Sequence, residues 1–173
     1  MDNRILTVFG DEFFPKFGMG TSHKDRQFAV DNLLEFFKQT KPSLVYIMPT
    51  KGTCAFVAVI CSILQIPYIM VSPYPQFFND VGVMDKVNIK KATESAKSFI
   101  MMSDTPAETV QDAKDLFEDS VEFLCRVADA VVFCYSKDTT LKYKSFMEET
   151  SSKAREKCLW ELIYDRRQVP VED

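Results

Sequence analysis

The sequence predicts an α/β fold: a Rossmann-like, open, mainly parallel sheet of five or six strands with helices on both faces. Three observations carry this. Short apolar runs rich in β-branched residues alternate with longer stretches of helical periodicity. The runs have no polar face, as expected of strands that helices cover on both sides. Their order, strand then helix then strand, is that of successive parallel βαβ units.

Residues 5–9 (ILTVF), closed by Gly10, read as the first strand. The aromatic, turn-rich stretch 11–20 reads as a loop. Thr21 or Ser22 offers an N-cap for a helix over 22–39, where Phe28, Leu33, Leu34, Phe36 and Phe37 recur at helical spacing. Pro42 ends that helix, and 44–48 (LVYIM) is the second strand. Residues 53–64 (TCAFVAVICSIL) are apolar nearly all round, which predicts a deeply buried helix. The third strand is 67–71 (PYIMV), followed by a second aromatic loop over 72–82. A helix over 84–96 and a strand over 98–102 (SFIMM) come next. Asp104-Thr105-Pro106 is read as the cap of an amphipathic helix running to about Arg126. The fifth strand lies in 127–135 (AVVFCY), a helix spans about 140–157, 159–164 is a sixth strand, and about 165–173 is a tail. With 173 residues and no linker or repeat, the expectation is one domain over 1–173.

Charge and composition narrow the function. Net charge is −4 and the sequence pI about 5.1, which argues against general nucleic-acid binding because that needs a basic stripe. No apolar run reaches the ~18 residues of a membrane span, so no membrane partner is expected and the expected location is cytoplasmic. The five cysteines are odd in number and sit mostly in apolar runs, which reads as reduced buried thiols. The one histidine, His23, has no ligand cluster around it, so neither a metal nor a cofactor is expected.

In an open parallel sheet the ligand lies beyond the carboxyl ends of the strands. The candidate residues therefore come from the turns after strands. Pro49-Thr50-Lys51-Gly52-Thr53 opens a helix, and such a turn presents free N–H groups to an anion. Lys51 would add charge, Thr50 and Thr53 hydroxyls, and Gly52 close approach. An ordinary helix start capped by Thr53 explains the same residues. Gly10-Asp11-Glu12 could receive a ribose, or be a solvated turn. His23 could contact a phosphate, act as an acid or base, or simply be a surface residue of a helix's first turn, and Arg26 could contact a phosphate. Ser72-Pro73-Tyr74 with Phe77 and Phe78 could wall a base, and Ser136, Thr139 and Thr140 could face the same ligand. Neither a Walker A loop, nor a dinucleotide fingerprint, nor a nucleophile elbow is present. Cys54, at a helix N-terminus, reads as a buried thiol rather than a nucleophile.

Several short motifs carry a resemblance. Phe9-Gly10-Asp11-Glu12 follows the first strand. Pro49 to Cys54 stands where a G-x-x-G-x-D motif would, keeping Gly52. Gln65-Ile66-Pro67 matches G-I-P, Ser72 to Gln76 matches a strand ending in P-F, and Ala128-Asp129-Ala130-Val131-Val132 matches a late A-D strand. In order and spacing this resembles the SLOG superfamily, especially its YpsA-like branch, over about residues 4–145. The resemblance implies a Rossmann-like domain that binds nucleotides or nucleotide-derived ligands, some relatives cleaving N-glycosidic bonds. The P-G-G-x-G-T-x-x-E motif of those hydrolases is absent here.

The leading expectation is non-catalytic binding or sensing of a nucleotide-like small molecule. The alternatives are an interaction or oligomerising scaffold, forming a homodimer or binding a host or partner protein through Phe13, Phe14, Phe17, Phe77 and Phe78, and a hydrolase using Asp11, Glu12 or Asp80.

Overall fold

The computed structural model describes residues 4–10, 23–50, 53–77, 90–136, 144–154 and 158–164. The strands are β1 (Ile5–Gly10), β2 (Leu44–Ile47), β3 (Tyr68–Ser72), β4 (Ser98–Met101), β5 (Ala130–Ser136) and β6 (Cys158–Tyr164). The helices are α1 (His23–Thr40), α2 (Thr53–Leu64), α3 (Val110–Val127) and α4 (Lys144–Ala154), with a further helical stretch at 90–95. The strands form one sheet in the order β4-β3-β2-β1-β5-β6, and every neighbouring pair is parallel.

Parallel neighbours need crossovers, and these divide the helices between two faces. Alternate residues of the strands, Leu6, Val8, Val45, Ile47, Met70, Ala130 and Val132, pack with Leu33 and Phe37 of α1 and with Val57, Ile60 and Cys61 of α2. The opposite pleat, Phe9, Val71, Val131 and Phe133, packs with Val121 and Leu124 of α3 and Met147 of α4. Steps from β1 to β4 therefore run along one face and the return to β5 and β6 along the other. Among the described residues Phe37 and Phe133 are the largest fully buried side chains, one in each layer. Burying a side chain of that size contributes about 1.5–3 kcal/mol.

Several sequence expectations need correction. α3 begins at Val110, not at Asp104-Thr105-Pro106, because Thr109 is the true cap. Its hydroxyl accepts the Asp112 N–H at 3.0 Å, and the Asp112 carboxylate accepts the Thr109 N–H at 3.2 Å, a reciprocal capping box. Ser103 and Thr105 instead form a turn, the Ser103 hydroxyl donating to the Thr105 carbonyl at 2.9 Å.

α2 is not buried all round. Its inner stripe is buried, but Val59 is 53% exposed and Ile63 64%. One helix has only one stripe against the sheet, so apolar residues on its outer side stay outside whatever their type. Strand ends also move by a residue: β1 includes Gly10, β2 stops at Ile47, and β3 runs from Tyr68 to Ser72. Described helix lies at 90–95 within the expected 84–96, and α4 spans Lys144–Ala154 within the expected 140–157.

α2 ends in a left-handed turn. Gln65 has φ 57°, its N–H donates to the Ser62 carbonyl at 3.4 Å, and the Ile66 N–H donates to the Cys61 carbonyl at 2.8 Å. These are the two bonds of a Schellman cap, with glutamine where glycine is favoured. Four cysteines, Cys54, Cys61, Cys125 and Cys134, are buried thiols that form no disulfide.

Candidate functional site at the carboxyl edge of the sheet

The strand registers bring one row of residues to the carboxyl edge. Gly10 pairs with Cys134, Cys134 with Leu162, and Ser72 with Met101. Continuing the β1–β2 register from Thr7 opposite Tyr46 puts Gly10 level with Pro49. Continuing β2–β3 from Ile47 opposite Met70 puts Pro49 level with Ser72. Gly10, Thr50, Ser72 and Ser136 thus stand at one end of the sheet, at or just beyond this row.

The row contains the point where strand order reverses. β1 is followed in sequence by β2 on one side, while β5 lies on its other side. The helices that follow β1 and β5, α1 and α4, pack on opposite faces of the sheet, and in open α/β sheets such an arrangement leaves a crevice between the two strand ends. Gly10 is the last residue of β1 and Ser136 the last of β5, two positions beyond the Gly10–Cys134 pair. α1 opens at His23 after β1, with Arg26 in its first turn, and α2 opens at Thr53 after β2.

Some candidates carry structural duties. The Thr50 N–H donates to the Met48 carbonyl at 2.7 Å, so its amide is committed to a tight turn while its half-buried side chain remains at the edge. The Ser72 hydroxyl is fully buried and donates to the Tyr74 carbonyl at 3.1 Å. Pro73 is buried. Tyr74 meets Phe77 edge-to-face at 5.4 Å between ring centroids, and Phe77 packs toward the α3 face of the core. That aromatic pair braces the loop after β3. Cys54 is buried, and its thiol donates to the Val8 carbonyl at 3.7 Å, as the burial reading expects.

Asp11, Glu12, Lys51, Gly52, Thr139 and Thr140 lie outside the described residues, as do Phe13, Phe14, Phe17, Phe78 and Asp80. Among the described residues no cluster of His, Cys, Asp and Glu could hold a metal ion, and no helix is long and apolar enough to cross a membrane.

The chain matches no protein-family model and no curated protein. Function therefore rests on the geometry of this edge and on the residues themselves.

Sequence reasoning missed a second feature, on the α2 side of the molecule. A groove of about 340 Å³ runs between α2 and the helical stretch 90–95, lined by Ala58, Val59, Ser62, Ile63, Tyr68 and Ala92 among others. Tyr68 opens β3, so the groove lies toward the amino end of that strand, away from the carboxyl edge. The Tyr68 hydroxyl donates to the Ala92 carbonyl at 2.5 Å. Burial pushes the Tyr68 phenol above its ordinary range, with Ser62 and Ser95 opposing and Cys61 adding to the rise. Burial likewise pushes the Cys61 thiol up to about 12. The available signal was the all-apolar composition of α2, read as depth rather than as an exposed apolar ridge.

Proposed function

We propose that this protein binds a nucleotide or nucleotide-derived ligand in the crevice at the carboxyl edge of the sheet, between β1 and β5, and does so without catalysing a reaction. The observation that carries the reading is the reversal of strand order beside Gly10, whose strand pairs with β5 up to its last residue. Gly10 has no side chain to fill the crevice, so a ligand can approach the β1 backbone. α1 and α2 both begin after strands that end at this edge, and helix N-termini stabilise anions such as phosphate. Thr50 and Ser136 are polar residues on the strands' segments to either side of Gly10, and in sequence Lys51-Gly52 follows the one and Thr139-Thr140 comes soon after the other. The resemblance to the SLOG superfamily supports the same ligand class. The lack of a nucleophile elbow and of the family's hydrolase motif supports binding over turnover. Buried thiols outside disulfides are compatible with a reducing, cytoplasmic setting.

A thermal-shift panel of nucleoside mono-, di- and triphosphates and ADP-ribose tests this reading. A ligand at about 100 times its Kd adds about 2.7 kcal/mol to stability, which raises Tm by several degrees. The shift should disappear in Gly10→Val, and chromatography of the incubated ligand should show no product. No shift with any member of the panel would overturn the reading.

A further inference from the structure

A groove on the α3 side of the sheet divides the ligand between two places. About 290 Å³ in volume, it lies between Phe77, in the loop after β3, and the first turns of α3, where Val110, Ala113, Lys114, Phe117 and Glu118 line it. α3 follows β4, whose last residue Met101 pairs with Ser72 at the carboxyl edge. These turns therefore stand at the same end of the sheet as the candidate crevice. A row of rings joins groove and crevice. Between centroids, Phe117 lies 6.3 Å from Phe146 and Phe146 lies 5.6 Å from Phe9, the residue before Gly10.

Size and charge select what the groove holds. Pockets that enclose a whole small-molecule ligand start at about 300 Å³, so a groove of about 290 Å³ takes one end of a nucleotide. Phe77 and Phe117 are half-buried, and both leave ring surface at the groove. Aromatic faces stack on nucleobases whatever the base. α3 exposes Asp112, Asp115, Glu118, Asp119 and Glu122 against Lys114 and Arg126, a balance that repels phosphate. Its N-terminus already meets a negative charge, the Asp112 carboxylate of the capping box. The base, which is neutral, meets no such repulsion. Lys114 and Glu118, one turn apart on the rim, offer its polar edge a donor and an acceptor.

We propose that this groove is the base subsite of the ligand bound at the crevice. The base stacks on Phe77 and Phe117, and the phosphate lies toward Gly10 and the N-termini of α1 and α2. The assignment rests on the nucleotide reading above.

Calorimetric titration of the full chain with adenosine monophosphate and with ribose phosphate, which lacks the base, tests it. The wild type should bind adenosine monophosphate at least about fivefold more tightly than ribose phosphate, the factor that stacking of one base supplies. Phe117→Leu keeps the core filled but removes the aromatic face. It should weaken adenosine monophosphate at least about fivefold more than ribose phosphate. Ala113→Trp, which fills the groove from a half-buried position, should have the same selective effect and decides the matter if the leucine variant folds poorly. Adenosine monophosphate that binds no better than ribose phosphate, or that binds both variants as it binds the wild type, would overturn the subsite and leave the crevice reading standing. Binding of neither ligand would overturn both.

Discussion

Asp129 holds Ile5 from two directions at the amino end of the central strand pair. Its backbone N–H donates to the Ile5 carbonyl at 2.7 Å, and its carboxylate accepts the Ile5 N–H at 2.8 Å. This residue lies at the end of the sheet opposite the candidate crevice. Its duty is to start β1 and β5 in register, which brings Gly10 beside Cys134 five pairs later. Asp129→Ala should lower stability by about 1 kcal/mol, because a charge-assisted bond is lost at an exposed position. Urea unfolding midpoints check this. An unchanged midpoint would mean that the register is set by packing alone.

Gln65 closes α2 at φ 57°, a position that favours glycine. A side chain in the left-handed region costs about 1–2 kcal/mol, partly offset by the flexibility glycine adds to the unfolded chain. Gln65→Gly should therefore stabilise the protein by on the order of 0.5 kcal/mol. A lower unfolding midpoint for this variant would show that the glutamine side chain makes a compensating contact.

The Thr109 cap sets the start of the helix in the crossover from β4 to β5, which passes over three intervening strands. Thr109→Ala should cost about 1 kcal/mol. Asp112→Ala should cost less, and the double variant less than the sum, since the two bonds of the capping box support each other. Additive losses in a double-mutant cycle would contradict that reciprocity.

Cys61 sets a pH dependence whose sign is fixed by its burial. Its folded-state pKa, about 12, lies above the ordinary 9.0. The unfolded chain thus releases the proton first as pH rises. The stabilisation is fully present below pH 9.0 and is lost as pH climbs toward about 12, by up to about 4 kcal/mol. The loss should be smaller in Cys61→Ala, a comparison that removes the shared contribution of lysines. In native protein at pH 8 the thiol should resist a disulfide reagent and react only on unfolding. Rapid labelling without unfolding would place Cys61 at an accessible surface.

The sheet was legible in the sequence because its strands are buried on both faces. Runs such as LVYI and AVVFCY have no polar alternation to conceal them, and parallel order follows from the helices between them. Element ends were less legible because they depend on single hydrogen bonds. Asp104 and Thr105 look as capable of capping as Thr109, and only the reciprocal partner at Asp112 separates them. The exposed ridge on α2 was not legible at all. An apolar side chain on a helix reads the same whether it faces a sheet or the outside, and Val57 and Val59 differ only in the direction the helix turns them. That Gly10, Thr50, Ser72 and Ser136 share one edge of the sheet was legible in the sequence, since strand direction alone decides which turns share an end. The sequence did not disclose that the Ser72 hydroxyl is consumed by its own turn, because such a bond depends on the path of the chain after β3.

The central claim, that ligand meets the chain beside Gly10 where β1 and β5 diverge, is tested most directly by amide chemical-shift mapping with a nucleotide that raises Tm, starting from adenosine monophosphate. Saturable shifts should concentrate at Gly10, Thr50 and Ser136 and spare Ile5 and Asp129 at the other end of the same strands. Saturable shifts centred on Ile5 and Asp129, or along the α2 groove at Ser62 and Ile63, would contradict it.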